Sequence, residues 1–116
     1  MPYPLVYGYV RSIADDSEFV HSCRDRLAVW CVREGWNLGA VFTDVGSPLD
    51  VENRVGFRGL LDAAAMPAAS AVVLLDEGHL SSRADVVDDL KRQLRRTGVA
   101  VRVQNARDES LDGDNA

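Results

Sequence analysis

The chain has 116 residues, of which 47% are hydrophobic and 27% are charged, and its formal net charge is −5. This length and this apolar content predict a single soluble globular domain and exclude wholesale disorder. The acidic balance argues against a domain whose main task is to hold nucleic acid, because neutralising DNA phosphates requires clustered Lys and Arg side chains.

The sequence shows no sign of export or of membrane insertion. No apolar stretch approaches the roughly 18 residues that span a bilayer, and the N-terminus lacks a basic segment followed by an apolar one. Cys23 and Cys31 do not make a disulfide framework and are expected to be reduced thiols. We therefore expect a cytoplasmic protein with no membrane partner.

In the first half of the chain, hydrophobic periodicity alternates between strand and helix. Residues 5–10 predict a buried first strand because they are rich in aromatic and β-branched side chains. Asp15 has the spacing of a helix N-cap, and Gly35 is expected to end that helix. Residues 36–43 predict a second strand, and residues 44–50 predict a loop.

The second half of the chain repeats this alternation. Residues 53–65 predict a helix, and the apolar run of residues 71–75 predicts a strand covered on both faces. Ser82 has the capping-box spacing for a third helix, which Gly98 follows. Residues 99–103 predict the last strand because apolar and polar side chains alternate there.

The order of these elements predicts an α/β fold. Strands that alternate with amphipathic helices imply right-handed crossovers, so we expect three layers, with helices on both faces of a mostly parallel four-stranded sheet. Residues 1–104 are predicted to form this domain. Residues 105–116 are acidic, lack an apolar face and predict a disordered tail.

Candidate functional side chains follow the predicted strands, where open parallel sheets place their sites. One interpretation is a phosphate site, with Arg11 and Arg54 as clamps and a serine as nucleophile. The other is a phosphoacceptor or divalent-metal site made by Asp15, Asp16 and Asp76, which is similar to a receiver domain. The receiver pattern lacks support at two points, because no fifth strand is predicted and no lysine follows the last strand.

Several motifs together resemble the serine recombinases of the resolvase/invertase family. Residues 8–15 (GYVRSIAD) are similar to the family's opening G-Y-x-R-V-S-T-D, and residues 41–44 (VFTD) resemble its V-F-x-D. Residues 53–57 (NRVGF) are similar to D-R-P-G-L at the matching distance. Residues 78–82 (GHLSS) fall where the family has D-R-L-S-R.

The resemblance covers roughly residues 3–104 and implies a resolvase-like fold and mechanism. In that mechanism a serine hydroxyl attacks a DNA phosphodiester and forms a phosphoseryl link, while arginines stabilise the charge on the phosphate. By position, Arg11 and Arg54 match two of those arginines, and Asp44 matches a retained acidic residue. No cofactor and no metal are implied.

The departures from the family pattern fall on its catalytic residues. Ile13 occupies the position of the nucleophile, and Ser12, one residue early, is expected to point to the opposite side of an extended chain. Residues 78–82 lack the aspartate and both arginines of their motif. His79, if protonated, and Arg83 are the remaining candidates for binding a phosphate or another anion there.

We therefore predict a stand-alone, non-catalytic binding or regulatory module linked to DNA recombination, rather than an enzyme. The family's long dimerising helix and DNA-reading region are not recognised in the sequence. The expected partners are a full-length recombinase or a second copy of the chain, with DNA bound weakly if at all. An active recombinase or nickase that uses Ser12 remains an alternative, as does the receiver-like domain. Arg11 and Arg54 are expected either to open into an anion pocket or to pair internally with Asp44.

Overall fold

A computed structural model describes residues 3–46 and 53–105. Within these residues, no helix is both long and apolar enough to cross a membrane. The predicted loop residues Ser47 and Pro48 and the predicted tail after Asn105 lie outside them. The elements are, in chain order, β1 (Leu5–Ser12), α1 (Ser17–Glu34), β2 (Asn37–Val45), α2 (Val55–Ala64), β3 (Ala69–Asp76), the 3-10 helix η1 (Glu77–His79), α3 (Ala84–Arg96) and β4 (Ala100–Asn105).

The four strands form one sheet in the order β2-β1-β3-β4, and every neighbouring pair is parallel. Helix α1 packs on one face of the sheet, and α2 and α3 pack on the other. The predicted three-layer α/β fold with a parallel four-stranded sheet is therefore confirmed. Because β2 and β3 flank β1 on opposite sides, the chain reverses its direction of winding at β1.

The two faces of β1 belong to two separate hydrophobic clusters, as the alternation of side chains along a strand requires. Val6 and Val10 pack with Leu27 beneath α1. Tyr9 points to the opposite face, where its ring meets the edge of Phe57 at a centroid distance of 5.5 Å. Burying each such large apolar side chain contributes roughly 1.5–3 kcal/mol, so both layers stabilise the sheet.

All four strands are longer than the sequence pattern indicates, and for β1 and β2 the added residues include candidate site residues. β1 continues through Arg11 and Ser12, and β2 continues through Asp44 to Val45, because Arg11 pairs with Asp44 and Ser12 with Val45. The prediction that Asp44 begins a loop is therefore wrong. Pairing between two distant segments supplies the hydrogen bonds that extend both strands, and the periodicity of one segment alone does not reveal it.

The helix starts also differ from the prediction. The N-cap of α1 is Asp16 rather than Asp15, and its carboxylate accepts a hydrogen bond from the backbone N–H of Phe19 at 3.0 Å. Helix α3 begins after Arg83, without a side-chain cap, rather than after Ser82. In both cases the helix starts one residue later than predicted. At α1, either of two successive aspartates could accept from a free N–H group, whereas Arg83 has no side-chain acceptor and only its backbone carbonyl accepts, from the N–H of Val87.

The ends of two elements settle other boundaries. Gly35 ends α1 as predicted, in the left-handed conformation with φ of 77° that favours glycine. β4 extends to Asn105, one residue beyond the predicted end of the domain at residue 104.

Candidate functional site

The strands β1 and β3 separate at the carboxyl edge of the sheet. β1 pairs with β3 only from Leu5 to Gly8, whereas it stays paired with β2 as far as Ser12. This separation lies where the strand order reverses, the position at which open α/β sheets bind ligands. A cavity of about 380 Å³, which we call the switch-point crevice, opens here and is lined by Arg11, Ser12, Ile13, Ala14, Asp16, Phe19, Asp76, Gly78 and His79.

A larger cavity of about 570 Å³ lies between α1 and β2. Its lining includes Asp15, His21 and Asp25 but neither of the two arginines singled out from the sequence. The switch-point crevice is therefore the better candidate, because it joins motif residues from β1 and from the segment after β3.

The side chain of His79, the last residue of η1, binds the backbone of β1. Its Nδ1 accepts a hydrogen bond from the backbone N–H of Arg11 at 3.1 Å, and its ring stacks on Phe19 at a centroid distance of 6.1 Å. Since Nδ1 is an acceptor, the neutral ring carries its proton on Nε2. Burial lowers the pKa of His79 below its ordinary value. His79 is therefore neutral near pH 7 and does not replace the positive charge of an arginine.

Arg11 is held against the same segment by its side chain. Its Nη2 donates a hydrogen bond to the carbonyl oxygen of Gly78 at 2.8 Å, while its buried Nε has no hydrogen-bond partner. Burial, and then the nearby charge of Arg54, lower the pKa of Arg11 from its ordinary value. Among the cationic side chains singled out from the sequence, Arg11 is the one that lines the crevice.

Arg54 is the N-cap residue of α2 and is only 3% exposed. Its Nη1 donates a hydrogen bond to the carbonyl oxygen of Leu80 at 2.5 Å, and its buried Nε has no partner among the described residues. Arg54 does not line the crevice. The predicted pair of arginines is thus brought close together, but only Arg11 is placed to touch a ligand.

Asp44 makes a cluster of its own on the other side of β1, which we call the Asp44 cluster. Its carboxylate accepts hydrogen bonds from the hydroxyl of Tyr9 at 2.7 Å and from the backbone N–H groups of Gly56 and Phe57 at 2.7 and 2.8 Å. Asp44 thereby caps the N-terminus of α2 from a neighbouring strand. Burial, followed by the hydrogen bond and charge of Asp44, raises the pKa of Tyr9.

The start of α2 lies directly against β2. A Cβ atom at Gly56 would come within 2.2 Å of the carbonyl oxygen of Thr43, so this position requires glycine. In the described part of the chain, no ion pair joins Asp44 to Arg11 or to Arg54. The expectation that Asp44 is the internal partner of the arginines is therefore wrong, because three uncharged donors already occupy its oxygens.

Ser12 and Ile13 have opposite environments. Ser12 is 5% exposed, and its hydroxyl donates a hydrogen bond to the carbonyl oxygen of Ala14 at 2.5 Å. Ile13, at the position that the resemblance gives to the nucleophile, is 59% exposed. The residue that reaches solvent here is therefore one without a reactive group.

Only some of the remaining candidate residues lie at the crevice. Arg83 binds Asp85 at 2.8 Å in an exposed ion pair and does not line the crevice. Asp16 and Asp76 line the crevice, whereas Asp15 lines the neighbouring cavity. Within residues 3–46 and 53–105, no three His, Cys, Asp or Glu side chains are grouped so that they could hold a metal ion.

Two residues of the site were not singled out from the sequence. Tyr9 supplies a hydroxyl to Asp44, and Phe19 stacks on His79. Helical periodicity places Phe19 on the apolar face of α1, yet its side chain is 43% exposed. Its place in the first turn of α1, next to the edge of the sheet where sites occur, is the signal that could have identified it.

Comparison with known proteins gives this arrangement a family. The model of the resolvase N-terminal domain matches residues 6–116. The chain belongs to the resolvase family. This membership favours the recombinase interpretation of the crevice over the receiver-like one. No curated protein sequence gives a significant match.

Solved structures share the resolvase fold at low sequence identity. The C-terminal catalytic domain of ISC1926 TnpA, an IS607-like serine recombinase, is 18% identical with a TM-score of 0.77, over 90% of this chain and 73% of that one. The N-terminal catalytic domain of TP901-1 integrase is 22% identical with a TM-score of 0.70, over 93% and 80%. The first open reading frame of transposon ISC1904 from Sulfolobus solfataricus P2 is 20% identical with a TM-score of 0.69, over 92% and 71%.

Proposed function

We propose that this resolvase domain is a non-catalytic binding or regulatory module linked to DNA recombination, which keeps an anion site in the switch-point crevice. The observation that carries the proposal is the exposed isoleucine, Ile13, at the position of the nucleophilic serine. An aliphatic side chain cannot form a phosphoseryl link, so this position does not support strand cleavage.

Ser12 is a poor substitute for the missing nucleophile. β1 remains in register with β2 through Ser12, and the irregularity in this pairing lies between Val6 and Tyr7, far from the crevice end. The Ser12 side chain is therefore not turned toward the side of Ile13 by a bulge. Its hydroxyl is also buried and donates a hydrogen bond to the carbonyl oxygen of Ala14, and no histidine or carboxylate of the described residues accepts from it as a general base would.

Stabilisation of a transition-state phosphate is also reduced. His79 is neutral, Arg83 is paired with Asp85 outside the crevice, and Arg54 is buried behind other side chains. Removing one positioned donor from an active site costs roughly 3–4 kcal/mol, so losing several of them leaves little catalysis. Arg11 alone can still attract an anion, because binding requires less than transition-state stabilisation does.

The expected partners follow from charge and from the family. With a net charge of −5, we propose that the module binds duplex DNA weakly at physiological salt and acts in the cytoplasm through a protein. That protein would be a full-length recombinase or a second copy of this chain. The role of the module would be to compete for, or to cover, surfaces that an active recombinase uses.

A cleavage assay tests the proposal. Incubating the chain with supercoiled plasmid and then denaturing the mixture should give no nicked DNA and no covalent protein–DNA adduct. Ser12→Ala should behave like the wild type, and Ile13→Ser shows whether a hydroxyl at this position is enough to restore cleavage. An adduct formed by the wild type and lost in Ser12→Ala would contradict the proposal and establish the alternative, a nickase that uses Ser12.

A further inference from the structure

The walls of the switch-point crevice carry hydrogen-bond acceptors as well as donors. Oδ1 of Asp16 accepts from the backbone N–H of Phe19 at 3.0 Å, and Oδ1 of Asp76 accepts from the N–H of Gly78 at 2.8 Å. These bonds fix both carboxylates in place. The second oxygen of each carboxylate has no donor within the described residues and is free to accept a hydrogen bond from a ligand.

The donors of the crevice are supplied by two other lining residues. Arg11 presents the guanidinium atoms that are not used by Gly78, and His79 presents its Nε2–H, for which the described residues provide no acceptor. His79 is 6% exposed and lines the crevice, and its Nε2–H is open to a ligand there. The buried Nε–H of Arg11 has no acceptor among the described residues, and leaving such a group unpaired costs free energy, which a ligand with an accepting oxygen recovers.

We propose, building on the anion site described above, that the crevice selects phosphates that carry a P–OH proton and rejects the phosphodiester of DNA. A phosphomonoester has its second pKa at about 6, so its protonated form is accessible near neutral pH. Its P–OH donates to Asp16 or Asp76, and its other oxygens accept from Arg11 and His79. A diester has only accepting oxygens, which the two carboxylates repel.

The mouth of the crevice indicates what the phosphate is attached to. The exposed side chains of Ile13 and Phe19 form an apolar rim around the charged floor. An organic group on the phosphate would remove this apolar surface from water, whereas free inorganic phosphate would leave it exposed. The ligand class is therefore a phosphomonoester with an apolar or aromatic group.

Thermal unfolding and calorimetric titration of the full chain test this selectivity. Inorganic phosphate should raise the melting temperature, phenyl phosphate should raise it further, and sulfate and dimethyl phosphate should bind about tenfold more weakly or not at all. Ile13→Ser should reduce the affinity for phenyl phosphate toward that for inorganic phosphate.

Variants of the carboxylates separate selectivity from simple anion binding. Asp76→Asn keeps an oxygen for the Gly78 N–H but replaces the free acceptor by a donor, so it should gain affinity for sulfate. Asp16→Asn provides a second, independent variant, and Asp62→Asn, on the exposed surface of α2, is the matched control that should keep the wild-type preference.

The outcomes are distinct. Equal binding of sulfate and phosphate by the wild type, or an unchanged preference in both Asp16→Asn and Asp76→Asn, would overturn the selectivity while leaving the anion site intact. Phenyl phosphate that binds no tighter than inorganic phosphate would overturn the role of the rim. No response to any of these anions would overturn the anion site itself, and with it this part of the proposed function.

Discussion

The Asp44 cluster lies on the β2 side of β1, and the switch-point crevice opens on its β3 side. The two regions differ in how completely their polar groups form hydrogen bonds. The Asp44 carboxylate receives three hydrogen bonds in a buried setting. In the crevice, by contrast, the described residues leave the Nε–H of Arg11 without an acceptor and one oxygen each of Asp16 and Asp76 without a donor. A saturated cluster stabilises the fold, whereas an unsaturated one has binding capacity to offer. The comparison shows that residues of the family motifs serve two purposes in this domain: Asp44 stabilises the fold, whereas Arg11 is open to a ligand.

The largest expected effect is the loss of stability on breaking the Asp44 cluster. Asp44→Ala leaves the Tyr9 hydroxyl and two backbone N–H groups unpaired in the interior, and each unsatisfied group costs roughly 1–3 kcal/mol. We expect the free energy of unfolding in urea to fall by about 3 kcal/mol or more, which a small domain tolerates poorly. Asp62→Ala, at an exposed position of α2, is the control and should change it by less than about 0.5 kcal/mol. A small effect of Asp44→Ala would show that water replaces the lost hydrogen bonds.

Removing only the Tyr9 hydroxyl should have an intermediate effect. Tyr9→Phe keeps the ring that packs against Phe57 and leaves Asp44 with its two backbone donors. We expect a loss of about 1–2 kcal/mol in the same urea experiment, because a hydrogen bond to a charged group is stronger than a neutral one. Tyr7→Phe is the matched control on the same strand. If both variants lost the same amount, the Tyr9–Asp44 hydrogen bond would have no special weight.

The crevice should make stability depend on pH through His79. Burial holds the pKa of folded His79 below the ordinary value of 6.5, so the unfolded chain takes up a proton first as the pH falls. Stability from this residue is complete above about pH 6.5 and decreases below it, by at most about 1.4 kcal/mol per pH unit. In His79→Asn, the side-chain oxygen can still accept from the Arg11 N–H but does not titrate, so the decrease between pH 7 and 5.5 should be smaller.

The matched control for His79 is the other histidine of the chain, His21, which is exposed on α1. His21→Asn removes an imidazole without changing the contacts of His79, so the contribution of His79 to the pH dependence should remain. The measurement is the free energy of unfolding at several pH values in this range. If the free energy of unfolding fell equally with pH in the wild type and in His79→Asn, protonation of carboxylates alone would cause the loss of stability.

The smallest expected effect is the stabilisation of the fold by a bound anion. Millimolar inorganic phosphate should raise the melting temperature of the wild type by a few degrees, because only the folded state binds it. A ligand at ten times its Kd stabilises the folded state by about 1.4 kcal/mol. Arg11→Gln removes the cation that lines the crevice and should abolish this increase. Arg102→Gln, an exposed change on β4 with the same loss of charge, should keep it. A phosphate response that survives in Arg11→Gln would place the anion elsewhere.

The amino-acid sequence by itself determined the order of the elements and the parallel sheet with helices on both faces. It also placed Ile13 where the family has its serine. These features depend on the local alternation of apolar and polar residues and on short motifs, so one segment at a time is sufficient to predict them. Where several polar residues follow each other, as at Asp15 and Asp16, the local signal was ambiguous, and the cap fell one residue later than predicted.

Only the tertiary structure decided which polar groups are satisfied. The hydrogen bond from Tyr9 to Asp44 joins residues 35 apart, and the one from Arg11 to His79 joins residues 68 apart. Together with the bonds from the N–H groups of Gly56 and Phe57, these contacts assigned Asp44 to the start of α2 instead of to the arginines, and they decided which nitrogen of the neutral His79 ring carries the proton. Local periodicity carries no information about such pairs, because a buried donor takes whichever acceptor the packing of distant elements brings within reach.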